Sequence, residues 1–125
     1  MTSYSPFKGK TGIKRILNAT QYSIAGFKAA FQNEAAFRQI VFINIVLIPT
    51  SCFLQVSRVE HAMMIAVCLF ALIVELFNSA IEAVVDRVSL ERHPLSKNAK
   101  DMGSAAQFVA LAIIFFTWLI ILWPV

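Results

Sequence analysis

A row of carboxylates inside an apolar run constrains this chain more than any other feature. The stretch Glu75-Leu-Phe-Asn-Ser-Ala-Ile-Glu-Ala-Val-Val-Asp86 continues a hydrophobic segment that begins near Ala62. Glu75, Glu82 and Asp86 are spaced i, i+7, i+11. At about 100° per residue they fall within roughly 40° of one another on a helix. Asn78 and Ser79 flank that stripe, while Leu76, Phe77, Ala80, Ile81, Val84 and Val85 suit lipid or helix packing. An ionisable side chain at bilayer depth costs about 2.5–3.5 kcal/mol even on a lenient scale. The row therefore calls for a cation or a hydrogen-bond donor as partner.

Composition supports the bilayer setting. The chain is 58% hydrophobic and 14% charged, too little charge to cover a soluble domain of 125 residues. It reads as an all-α membrane protein forming one domain. Cys52 and Cys68 lie in apolar runs and read as small buried hydrophobes, not as a disulfide or metal pair. The first 39 residues are polar, basic and amphipathic, without the apolar core of a secretory signal. No nucleic-acid partner is expected.

Residues 1–12 read as a basic arm. Gly9-Lys10-Thr11 matches the end of a phosphate-binding loop, but Tyr4 stands where that loop needs glycine and no strand precedes it, so that reading fails. Residues 13–38 read as an amphipathic surface helix, with Ile13, Ile16, Leu17, Ile24, Phe27 and Phe31 on one face. A helix packed on other protein is the alternative. Transmembrane helices are expected over 40–56, interrupted by Asn44 and Pro49, over 62–85 and over 105–123. Residues 57–61 read as a polar turn and 86–104 as a polar loop. Lys8, Lys10, Lys14, Arg15, Lys28 and Arg38 precede the first span, and Arg87, Arg92, Lys97 and Lys100 lie between the second and third. The positive-inside rule puts the N-terminus and the 86–104 loop in the cytoplasm and the C-terminus outside.

The stripe then lies at the cytoplasmic side, with Glu75 deepest and Asp86 about 16 Å further along the axis. Glu75, Asn78, Glu82 and Asp86 offer hard oxygens, and Mg²⁺ takes one or two carboxylates together with waters and phosphate oxygens. His93, Lys97 and Lys100 suit a polyanion, although Lys97 alone reads as a topology charge. Phosphoryl transfer requires a metal, a cationic clamp and a base, and the deepest acid, Glu75, fits the base. The plainer reading is that Asn78 and Ser79 only hold helices together. Glu34, taken alone, reads as a solvated residue or a partner of Arg38.

Three segments carry a resemblance. Asn33-Glu-Ala-Ala-Phe-Arg-Gln39, Glu75-Leu-Phe-Asn-Ser-Ala-Ile-Glu-Ala-Val-Val-Asp-Arg87 and Ala99-Lys-Asp-Met-Gly-Ser-Ala-Ala106 closely resemble the small prokaryotic integral-membrane diacylglycerol kinase family, from about residue 13 to the C-terminus. The resemblance implies a surface helix plus three transmembrane helices in a homotrimer of the bacterial inner membrane, with sites shared between subunits. It implies transfer of the ATP γ-phosphate to diacylglycerol, giving phosphatidate, with Mg²⁺. It makes Glu75 the catalytic base, puts Asn78 and Lys100 near the transferred phosphate, and gives Glu34 and Glu82 to the metal. It places Arg15, Tyr22, Glu34, Glu82, Glu91, Arg92, His93, Lys100 and Asp101 around ATP. It places Ala19, Ser23, Ile24, Lys28, Ala36, Phe37, Arg38, Glu75, Ser104 and Trp118 around the lipid. Ile40 stands where members of the family usually carry an acid, and Arg92 where relatives can carry an aromatic residue.

Three other functions compete with this one. A related kinase would act on undecaprenol; the Asn33–Gln39 motif and the full third span favour diacylglycerol. A small ion-conducting protein would line its path with Glu75 and Glu82 and pass ions without nucleotide. A helical adaptor would tolerate changes at Glu75. The basic loop beside the acidic stripe favours a nucleotide over a bare ion path.

Overall fold

The computed structural model describes Pro6 and residues 11–125. Most of the expected basic arm therefore lies outside the described residues. The described residues form helices and no strands: α1 (Gly12–Asn33), α2 (Ala35–Cys52), α3 (Arg58–Val88) and α4 (Pro94–Leu122). The chain divides into two compact units, the first ending at Asn33 and the second comprising Glu34–Val125.

In the first unit, α1 is amphipathic, as its sequence requires. Two of its hydroxyls turn back onto the helix: Thr20 Oγ1 donates to Ile16 O at 3.0 Å and Ser23 Oγ to Ala19 O at 2.9 Å. The expected surface helix over 13–38 is thus divided. Glu34 adopts extended backbone, φ −120° and ψ 108°, and begins α2 as its N-cap.

In the second unit, α2, α3 and α4 are each long and apolar enough to cross a membrane. The middle helix is α3, which packs against both α2 and α4. Its buried residues are Met64, Cys68, Ala71, Glu75 and Ser79, recurring every three or four positions. Opposite them α4 buries Gly103, Ala110 and Ile114. Lipid tails are as apolar as leucine, so membrane helices associate through close packing and hydrogen bonds, which small residues allow. Ile40, Cys68, Ala71, Ala110 and Ile114 form the core.

Polar pins cross that core. Asn44 Nδ2 of α2 donates to Cys68 O of α3 at 3.1 Å and to Ile40 O of its own helix at 3.0 Å. From α4, Gln107 Nε2 donates to Ala71 O at 3.4 Å and Trp118 Nε1 to Met64 O at 3.3 Å. The acceptors are α3 carbonyls spaced i, i+4, i+7, so they share one face. Pro49 lies inside α2 without ending it. Nearby hydroxyls bond the backbone there, Thr50 Oγ1 to Val46 O and Ser51 Oγ to Ile48 O, both at 2.6 Å.

Helix ends depart from the sequence reading in definite ways. The first span, expected over 40–56, starts at Ala35 and stops at Cys52. The second, expected over 62–85, begins at Arg58 because Ser57 and Glu60 form a capping box. Glu60 N donates to Ser57 Oγ at 3.2 Å, and Ser57 N to Glu60 Oε1 at 2.9 Å. Residues 57–61 are therefore a helix start and not a turn. The loop expected over 86–104 shrinks to 89–93, because α3 runs to Val88 and α4 starts at Pro94. His93 caps α4, its Nδ1 accepting from Leu95 N at 3.1 Å, and proline at the first helical position is pre-set for the helix. Cys68 is buried as expected, but Cys52 is exposed, its Sγ 3.5 Å from Ile48 O and 3.7 Å from His61 Nε2. Removal of the α3 cap gives a first test. Ser57→Ala is expected to cost about 1 kcal/mol, seen as a lower unfolding midpoint in a denaturing-detergent titration.

Candidate functional site

The acidic stripe folds as its spacing dictates. Glu75 is buried at 2% exposure, one turn before Ser79, whose Oγ donates to Glu75 Oε1 at 3.5 Å. The charges of Glu82 and of Glu34 both bear on Glu75. The structure thus brings Glu34, from the start of α2, towards the α3 stripe, which spacing within α3 could not show. Glu34 makes no side-chain bond to its own helix end, so its carboxylate is not used as a cap.

Asn78 completes this end of the seam. Its Oδ1 is buried and has no hydrogen-bond partner. It occupies the space that a side chain at Gly103 would fill: a Cβ built there collides with Asn78 Oδ1. The glycine is what lets α4 close on α3 at this level. A buried carbonyl oxygen without a donor costs about 1–3 kcal/mol, which invites a ligand donor or cation. Gln107, one turn beyond Gly103 on the same face of α4, donates its Nε2 to Ala71 O at 3.4 Å, one turn before Glu75. Its Oε1 is likewise buried and unpartnered.

Beside this seam the α3–α4 connection forms a cleft of about 640 Å³. Glu91, Arg92, His93, Lys97, Lys100 and Asp101 line it with Asp86, Ser89 and Ser96. Lys100 Nζ pairs with Asp86 Oδ1 at 2.7 Å, and Lys97 Nζ with Asp101 Oδ2 at 2.6 Å. The Lys100 and Asp86 side chains are 43% and 49% exposed, so solvent screens their pairing and a polyanion can compete for Lys100. The charge of Glu82 also bears on Lys100, which links the cleft to the stripe. Among the described residues no group of three or more His, Cys, Asp or Glu side chains is arranged to hold a metal by itself. The donor set instead suits Mg²⁺ that arrives on phosphate, because that ion keeps waters and phosphate oxygens beside one or two carboxylates.

The structure gathers some of the residues expected from the sequence and separates others. Glu91, Arg92, His93, Lys100 and Asp101 share the cleft, and Lys97, read as a topology charge, joins them. Glu75, Asn78 and Glu82 share the α3 stripe. On α1, Arg15, Ala19 and Tyr22 lie on one face at i, i+4, i+7, with Ser23 beside them, whereas Ile24 and Lys28 fall on the opposite side. In the first turn of α2, Phe37 is buried, while Ala36 and Arg38 are exposed. Ser104 is exposed beside Gly103. Trp118 is about 21 Å further along α4 and lines a separate apolar groove of about 360 Å³ with Leu47, Phe115 and Trp123. Sequence reasoning assigned nothing to Gln107. The available signal was its place at i+4 from Gly103 and i+7 from Lys100, on a face that is otherwise buried and apolar.

The family model described as "Prokaryotic diacylglycerol kinase" matches residues 21–122, which include the stripe, Gly103 and the cleft. A diacylglycerol kinase of Pseudomonas aeruginosa is 76% identical over 120 residues, covering 96% of this chain and 98% of that protein. A diacylglycerol kinase of Haemophilus influenzae is 47% identical over 108 residues, 86% of this chain and 92% of the relative. One from Escherichia coli K12 is 46% identical over 113 residues, 90% and 93% respectively. A buried carboxylate beside a lysine-lined cleft, on three helices able to span a bilayer, lies within the matched segment. The chain belongs to the prokaryotic diacylglycerol kinase family.

Proposed function

We propose that this chain transfers the γ-phosphoryl group of ATP to the free hydroxyl of diacylglycerol, giving phosphatidate, at the cytoplasmic face of the bacterial inner membrane. The observation that carries the reading is the juxtaposition at the α3–α4 seam. A buried carboxylate, Glu75, stands next to the unpartnered Asn78 Oδ1, and Lys100 connects that seam to a cleft large enough for a nucleotide. Small-molecule sites commonly enclose roughly 300–1,000 Å³.

Each residue then has a task. Lys97, Lys100, Arg92 and His93 draw the triphosphate into the cleft, where it competes with Asp86 for Lys100. Glu75 accepts the proton of the lipid hydroxyl as that oxygen bonds to the γ-phosphorus and the bond from that phosphorus to the β–γ bridging oxygen breaks, releasing ADP. Asn78 and Lys100 orient the transferred group. Glu34 and Glu82 would hold Mg²⁺, and the bound ion would neutralise charge on the phosphates. Arg15 and Tyr22 contact the nucleotide. The lipid side comprises Ala19, Ser23, Ile24, Lys28, Ala36, Phe37, Arg38, Ser104 and Trp118. The working unit is a homotrimer, which covers apolar helix faces that a single chain leaves exposed, such as Phe70, Ile73 and Phe108. The basic residues flanking the spans support a cytoplasmic N-terminus and a periplasmic C-terminus.

The test is transfer of labelled phosphate from Mg²⁺-ATP in detergent–lipid micelles, with diacylglycerol and undecaprenol offered in parallel. Label in phosphatidate is expected. Label only in the polyprenyl product would change the substrate and keep the site. No label in either, with ion flux through liposomes in the absence of nucleotide, would replace the reading by an ion path. The metal assignment has its own check. Glu34→Ala and Glu82→Ala are each expected to raise the Mg²⁺ concentration needed for half-maximal rate by about tenfold, as loss of one carboxylate ligand from a two-carboxylate site implies. An unchanged Mg²⁺ titration in both would remove them as ligands.

A further inference from the structure

Glu75 is buried, so bulk water does not set its orientation, and its side chain retains free torsions beyond Cβ. Two neutral groups flank it on different helices. On α3, the Ser79 hydroxyl donates to Oε1 at 3.5 Å from one turn on the C-terminal side. On α4, Gln107 anchors its Nε2 on Ala71 O at 3.4 Å, which fixes its amide on the Glu75 face of α3. Ala71 is one turn before Glu75. Helical side chains lean toward the N-terminus, so the Glu75 carboxylate lies over the turn where Gln107 is anchored.

The choice of donors is informative. A lysine or arginine at either place would tie Glu75 into an ion pair and weaken it as a base. A hydroxyl and an amide orient it and leave its charge intact. Gln107 is also the one polar side chain between Gly103 and Ala110 on the buried face of α4, and it tolerates a buried, unpartnered Oε1. Packing alone would favour an apolar residue there.

We infer that Ser79 and Gln107 are positioning residues that grip the Glu75 carboxylate from two sides and aim it at the attacking lipid hydroxyl. The inference rests on the reading of Glu75 as the base. It concerns orientation, so it predicts a change in turnover and not in substrate binding.

The experiment measures kcat, and KM for ATP and for diacylglycerol, in the full chain in mixed micelles. The variants are Ser79→Ala, Gln107→Met and the pair together, each also made in a Glu75→Asp background. Methionine keeps the shape of glutamine and removes its amide. The pair is expected to lower kcat about tenfold, with both KM values within about twofold. In Glu75→Asp, where the carboxylate is already drawn back by one carbon, the same pair is expected to change kcat by less than about twofold. A paired variant with kcat within about twofold of the parent overturns the inference, and so does an equal loss in both backgrounds, which marks general packing. Should Gln107→Met fail to assemble, Gln107→Asn replaces it. Its amide falls one carbon short, so the same loss is expected and parental kcat overturns the grip. Glu75→Gln run alongside separates the two claims. Full activity there removes the base assignment and the inference with it. An inactive Glu75→Gln beside an unaltered pair removes the grip alone.

Discussion

Glu75→Gln is expected to reduce phosphoryl transfer by about 10³-fold while leaving assembly and KM for ATP nearly unchanged. General-base catalysis contributes typically 10²–10⁴-fold, and an amide cannot accept the hydroxyl proton. The substitution preserves shape in a site where shape matters, since Glu75 is 2% exposed and fills the seam between α3 and α4. It also leaves Ser79 an acceptor, the amide oxygen of the introduced side chain. Stability should therefore hold or rise slightly, because a buried charge is replaced by a neutral group. The measurement is labelled-phosphate transfer beside size-exclusion chromatography in detergent. A well-assembled variant that retains more than about a tenth of parental turnover would contradict the base assignment.

The second large effect comes from a residue without a functional group. Gly103→Ala places a methyl group where Asn78 Oδ1 now lies. Relief means either rotating the Asn78 amide or separating α3 from α4. Overpacking of a fitted interior costs about 1–3 kcal/mol. The same displacement moves Asn78 away from Glu75 and the cleft, so a loss of activity of about 10²-fold is expected with it, in line with misplacement by an ångström. Thermal unfolding in detergent and the transfer assay check the two parts separately. A second change, Asn78→Ala, makes room for the methyl. In Gly103→Ala/Asn78→Ala the lost stability should largely return while activity stays low. Continued instability of that pair would mean that the clash lies elsewhere.

The acidic stripe and the helical class were legible because both rest on periodicity. Glu75, Glu82 and Asp86 recur on one helical face whatever α3 packs against, and α3 keeps them there. The charges that line the cleft were legible individually. Their gathering was not, because residues 94–104 read as loop on polarity alone. The His93-Pro94 start and the i, i+4 pair Lys97–Asp101 were the local signs that a helix begins there. Glu34 shows the opposite limit. Apart from the resemblance carried by residues 33–39, nothing near it in sequence marks it as functional, and its relation to Glu75 arises only when α2 folds beside α3. Gln107 was hidden for another reason. In an apolar span a single amide signals a buried contact only once the buried face is known, and Gly103, Ala110 and Ile114 define that face in three dimensions.

The pins that cross the core have a consequence for how this sequence can change over time. Asn44, Gln107 and Trp118 donate to backbone carbonyls of Cys68, Ala71 and Met64, not to side chains. A backbone acceptor survives replacement of the residue that bears it. Replacements of similar volume at positions 64, 68 and 71 therefore leave in place the bonds that set the rotation and depth of α3. Only the three donors carry that information, and it is lost at 44, 107 or 118. The rod that presents Glu75 is in this sense keyed by its neighbours.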